Sequence, residues 1–256
     1  MASLQAAFNQ YYAEQLKPYG FKKLKGQPCF GRIVNGEVLH TLKLKIQYPM
    51  IRGQKCFNVL SGAWSVYSFP YSHGIDRYTF DNDSQLLACF VPEEKRNDSV
   101  EESLIWGLHC DEDNRPEKLA LSFAIVRDYV LPYLDSIQTV QDYIRHCKRW
   151  NPNTLRCADQ FYGDSPLLIL ADNHEDFMDS YQHYCDTVLY QCYGGDQNNP
   201  EYIENKERMY QYYIVETAGA RDKVYADPHL YACCQEELER RKQLSAECLR
   251  QAGLTV

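Results

Sequence analysis

A chain of 256 residues buries roughly 70–75% of its unfolded surface, so its core needs no disulfide or metal staple. Its 11 cysteines are odd in number and follow no secretory leader or membrane-length apolar run, which points to reduced thiols, a cytoplasmic protein and no membrane partner. A net charge of −8 and a pI near 5.4 make nucleic acid an unfavoured partner for the whole chain.

The charge is unevenly spread. Residues 1–60 hold 9 Lys and Arg against 2 Asp and Glu, while residues 61–256 hold 18 against 33. A basic front on an acidic body suits polyanion binding, head-to-tail self-association, or ordinary solvated faces.

Ser3 stands where a helix N-cap belongs, and Leu4, Phe8, Tyr11, Tyr12 and Leu16 repeat at helical spacing behind it. Pro18 and Gly20 predict its end, with Phe21 folding back on the last turn. "CFGRIV" then reads as a strand that reverses at Asn35-Gly36, a pair that tolerates positive φ at both positions. In the returning strand Val38, Leu42, Leu44, Ile46 and Tyr48 alternate with Thr41, Lys43, Lys45 and Gln47. Period two predicts one buried and one wet face.

"KCFNVLSGAWSVYS" follows as a third strand, with Gly62 as a bulge or close approach. "LLACFV" and "SLIWGL" read as short strands around a charged loop. "KLALSFAIVRDYVLPYLDSI" is an apolar helix kinked near Pro132, and Thr139 with Asp142 predicts a capping box for the next. Asn173, Asn199-Pro200 and Asp227-Pro228 mark later helix starts; Gly194-Gly195, Gly219 and Gly253 mark the stops. Strands first and helices after them predict an α+β fold: an N-terminal helix covering an antiparallel sheet, then a mostly helical C-terminal half. The expected division is an α+β domain over 1–150 and a helical region over 151–256.

The opening helix, "LKPYGFKK", the aromatic and arginine of "CFGRIVNGE", "FNVLSGAW" and the later "DYVLPYLDSIQTVQDYI" resemble the bacterial domain-of-unknown-function 4304 family. The likeness covers roughly residues 4–150 and fades beyond them. It implies a bacterial α+β domain of uncharacterised activity and carries no catalytic residues with it.

Candidate chemistry is sparse. Asp176, Asp179, His183 and Asp186 fall on one side of a helix, where Asp179, His183 and Asp186 form a candidate metal or acid–base set. The opposite side carries Phe177, Tyr181, Tyr184, Val188 and Cys192, so the stripe is first of all a solvated face. Zinc spacing is absent, as are the nucleophile elbow, the metalloprotease helix, and the phosphate and dinucleotide loops. His40 falls on the apolar strand face and reads as a satisfied core histidine; His73, in a polar stretch, is the best exposed one. Lys22, Lys23, Lys25, Lys43 and Lys45 form the candidate polyanion strip.

Tyrosine is abundant, 21 in all and 11 after residue 150, and suits half-wet packing or an interface. The reading is a protein without cofactor, leaning away from an enzyme, that binds another macromolecule through its acidic, tyrosine-rich helical half. An antitoxin- or immunity-like role against a basic protein is the form this would take. A hydrolase-like or metal-dependent enzyme and a nucleic-acid binder using the basic front are the alternatives, and homo-oligomerisation stays open.

Overall fold

The computed structural model describes residues 3–47, 55–67, 85–98, 100, 107–146, 169–170, 182, 185, 190–211 and 217–255. Helix α1 (Leu4–Leu16) begins where the Ser3 hydroxyl accepts the Ala6 amide at 3.2 Å. It ends in a 3-10 turn, Lys17–Tyr19, closed by Gly20 in the left-handed region at φ 77°. The strands are β1 (Lys22–Lys23), β2 (Cys29–Val34), β3 (Val38–Gln47), β4 (Cys56–Ser65), β5 (Gln85–Leu86) and β6 (Leu108–His109). All pairs are antiparallel, in the order β1-β2-β3-β4-β5, with β6 also on β4. Asn35 and Gly36, at φ 51° and 70°, make the tight reversal between β2 and β3. The fold is α+β, as the order of elements predicts.

The chain falls into two compact units. The first comprises Met1–Val66, Pro70–Gln138 and Ser245–Val256; the second, Tyr67–Phe69 and Thr139–Leu244. In the first, α1 packs on one sheet face with α2 (Arg115–Ile125) and α3 (Leu131–Asp135), which are joined by a π turn over Val126–Val130. Pro132 lacks the N–H an α-helix would use there, and the wider turn accommodates it. Tyr12 is wholly buried, stacked on Phe8 at 4.1 Å and edge-on to Phe123 at 5.6 Å. Its hydroxyl donates to Ser122 Oγ at 2.7 Å, and Ser122 in turn donates to the Leu119 carbonyl at 2.8 Å.

The other sheet face is not wet. Thr41 and Leu39 are buried, Lys43 is only 4% exposed, and Lys45 and Gln47 are half-buried. Thr41 accepts the Trp64 indole N–H at 3.1 Å and donates to the Gly62 carbonyl at 3.3 Å. Part of the cover comes from the far end of the chain. Ser245 Oγ donates to the Val66 carbonyl at 2.6 Å, and the Lys25 amide donates to the Ala252 carbonyl at 3.0 Å. A Cβ at Gly31 would meet the Leu254, Leu24 and Leu39 methyls at 3.2–3.3 Å. Alternation identifies which residues share a face; it is silent on a cover supplied more than 200 residues later.

Two smaller expectations are corrected. Of the two readings of Gly62 only the bulge is corrected: the register passes through it opposite Thr41 without one. The "LLACFV" stretch gives strand only at its start and then a 3-10 turn, Leu87–Phe90.

In the second unit the capping box forms: the Thr139 amide donates to Asp142 Oδ2 at 3.0 Å, and the Asp142 amide donates to Thr139 Oγ1 at 3.1 Å. Helices α4 (Val140–His146), α5 (Pro200–Tyr210), α6 (Thr217–Ala226) and α7 (Pro228–Gln251) follow, α7 passing into the first unit at Ser245. Asn199 caps α5 and Asp227 caps α7 through their side-chain oxygens. Gly219 lies inside α6 and stops nothing. The core gathers Val140, Ile144, Tyr202, Val224, Cys234 and Leu238. No helix among the described residues is long and apolar enough to cross a membrane.

Candidate binding cleft

Lys22 and Lys23 are exposed on β1, the edge strand, and Lys25 is exposed just beyond it. Edge lysines guard an unpaired strand against joining another chain, which accounts for the first two without a ligand. Lys43 and Lys45 lie on the covered sheet face, Lys43 buried, so the strip does not form the continuous wet surface its sequence suggests. His73, Asp179, His183 and Asp186 lie outside the described residues. Among the described residues no group of three His, Cys, Asp or Glu side chains is arranged to hold a metal ion.

Two polar constellations in the first unit are explained by packing. Arg32 Nε donates to His40 Nδ1 at 3.2 Å, so His40 carries its proton on Nε2 and donates it to the Ile137 carbonyl at 2.7 Å. Arg32 also donates to the Tyr19 carbonyl at 3.0 Å, pairs with Asp135, and lies 4.7 Å over the Phe21 ring. Burial pushes the His40 imidazole down to about 4. This network ties the hairpin to α3. Elsewhere Cys56 Sγ sits 3.5 Å from His109 Nδ1, opposite it on β6. That is the pairing of a thiol and a base, but Cys56 is wholly buried within the sheet, and a nucleophile needs access.

The second unit contains an open cleft of about 620 Å³, a volume in the usual range for ligand sites. One wall is α7, which supplies Tyr231, Glu236, Leu238 and Glu239; the others are Tyr67 and the pair Ile169-Leu170. Each wall is tied down. The Tyr225 hydroxyl donates to the Ile169 carbonyl at 3.0 Å, Gln141 Nε2 donates to the Leu170 carbonyl at 3.2 Å, and Arg241 donates to the Tyr67 carbonyl at 3.5 Å. Walls fixed in advance reduce the ordering cost of binding.

The charges divide in a definite way. Arg240 also lines the cleft, but its Nε and Nη2 both donate to Glu237, at 2.7 and 2.8 Å, and the buried Arg241 joins them at 2.8 Å. These guanidinium bonds, Arg240's first, hold the Glu237 carboxyl below the usual range. Glu236 and Glu239 are exposed and have no ion-pair partner among the described residues. The cleft therefore offers an apolar floor at Leu238, two tyrosine rings, and two carboxylates without an ion-pair partner among the described residues.

Comparison with protein-family models, with curated proteins and with solved structures finds no match. The cleft escaped sequence reasoning because its walls come from residues 67, 169–170 and 231–243, brought together only by folding. Its one legible signal was the density of tyrosine and carboxylate in the helical half.

Proposed function

We propose that the protein is a non-catalytic module that binds a basic partner protein in the cleft along α7. The carrying observation is the lining itself: an apolar floor and tyrosines beside the exposed Glu236 and Glu239, which have no ion-pair partner among the described residues. Residues 139–244 hold 18 Asp and Glu against 11 Lys and Arg, so the long-range field of this segment favours the same kind of partner. An apolar centre with a polar rim is the composition of protein interfaces, and tyrosine is enriched in them. With this proposal belong a bacterial, cytoplasmic setting, an immunity-like role, and kinship of residues 4–150 with the domain-of-unknown-function 4304 family.

The test begins with affinity isolation from a host extract and ends with the purified partner in calorimetry. A basic protein should bind, losing about tenfold in affinity when salt rises from about 50 to about 500 mM. Gln235→Trp, which fills the cleft from an exposed position on its lining, should abolish binding. A partner that binds this variant undiminished occupies some other surface, and the proposal fails.

A further inference from the structure

We propose that the cleft takes one arginine side chain of an extended segment of that partner, its guanidinium bracketed by Glu236 and Glu239 and laid against Tyr231. This rests on the protein-binding function proposed for the cleft and specifies its anchor.

Glu236 and Glu239 are three apart on α7, so their Cβ atoms stand about 5–6 Å from each other on one helix face. That gap suits a planar cation with donors on two edges. The cleft's own arginine is held by Glu237 through two hydrogen bonds and is not disposed to fill it. Tyr67 already has Lys242 Nζ over its ring at 5.9 Å, which leaves Tyr231 as the ring for an incoming cation.

The second unit shows the same chemistry beside the cleft. Arg221 lies 4.6 Å over the Tyr225 ring, and Tyr225 packs on Tyr231 at 5.4 Å. A guanidinium on the cleft side of Tyr231 would repeat there the contact that Arg221 makes with Tyr225. Leu238, buried at the floor, can take the aliphatic stem.

Arginine is selected over lysine on three grounds. Its fork matches a carboxylate with two parallel bonds, its plane stacks on an aromatic face, and it is less strongly hydrated than an ammonium. A phosphate-bearing ligand is disfavoured by the same two carboxylates.

The experiment uses the full chain and two blocked eight-residue probe peptides, one of alternating Arg and Gly and one of alternating Lys and Gly, titrated by fluorescence anisotropy. The arginine peptide should bind about tenfold more tightly than the lysine peptide. Glu236→Gln/Glu239→Gln should weaken it about tenfold, and Tyr231→Leu several-fold, while Tyr231→Phe keeps the ring and the affinity. Both glutamates are exposed, so the double variant should melt as the wild type does. Equal binding of the two peptides, or full affinity in the double variant, overturns the proposal. A purified partner that is lost on Gln235→Trp but binds Glu236→Gln/Glu239→Gln normally removes the arginine anchor and leaves the protein-binding function standing.

Discussion

His40 shows how one side chain can be fully occupied without being a catalyst. It is 0% exposed, accepts from Arg32 and donates to Ile137; both ring nitrogens are used, and a proton arriving at Nδ1 would meet a guanidinium. Its pKa in the fold, about 4, lies below the ordinary value of about 6.5. The unfolded chain therefore takes up this proton first as pH falls. Stability from this residue is complete above about pH 6.5 and is lost progressively down to about pH 4, to a total of about 3 kcal/mol. Gln at position 40 can accept from Arg32 and donate to Ile137 without titrating. Urea denaturation between pH 7 and pH 4 should show a flatter acid limb for His40→Gln than for the wild type. Equal slopes would mean that groups other than His40 set the acid sensitivity.

Among the elements, β6 depends most on a single backbone conformation. Gly107 enters it at φ 87°, and a Cβ there would fall 2.6 Å from the Phe57 carbonyl oxygen and 2.8 Å from Asn58 Nδ2. Neither neighbour can retreat cheaply, because Phe57 pairs with Leu108 and with Ile46 and is wholly buried. Gly107→Ala should cost at least about 2 kcal/mol, through both contact and the left-handed conformation. The loss should be local, peeling β6 from β4 and uncovering Cys56. Mass-spectrometric alkylation should find Cys56 modified faster in the variant; unchanged protection and stability would show that β6 is held by something other than this turn. The "SLIWGL" stretch carried the strand signal, and its first four residues lie outside the described set, but nothing in it declared the close approach at Gly107. Punctuation within a few residues was legible: the Ser3 cap, the Asn35-Gly36 reversal, the Thr139–Asp142 box and the Asp227 cap depend on neighbours in the chain. Gly219 misled because a glycine ends a helix only where the backbone turns left-handed, and α6 runs through it.

At the scale of the whole chain, what was illegible is what depends on distant segments meeting. Lys43 reads as a wet-face lysine until both sheet faces are seen to be covered, and the cleft exists only once residues 67, 169–170 and α7 assemble. The last residues are the sharpest instance. Leu249 is fully buried and Leu254 nearly so, in the unit that also contains α1 and the sheet. Leu254 shares the space above Gly31 with the methyls of Leu24 and Leu39, in room that a side chain at position 31 would take. Stability of the N-terminal sheet is thus partly written at the opposite end of the sequence. Each buried Leu→Ala change costs about 2–5 kcal/mol, against a total stability of about 5–15 kcal/mol for a domain. Leu249→Ala/Leu254→Ala should therefore lower the denaturation midpoint of the first unit severely, although neither residue lines the cleft. Hydrogen exchange should report it at two places: the Lys25 amide, which donates to Ala252, and the β2 amides. Loss of protection there would show the terminal segment acting as an integral layer over the sheet. Protection that survives both truncations would reduce it to an appendage, and the burial of Thr41 would then need another cover.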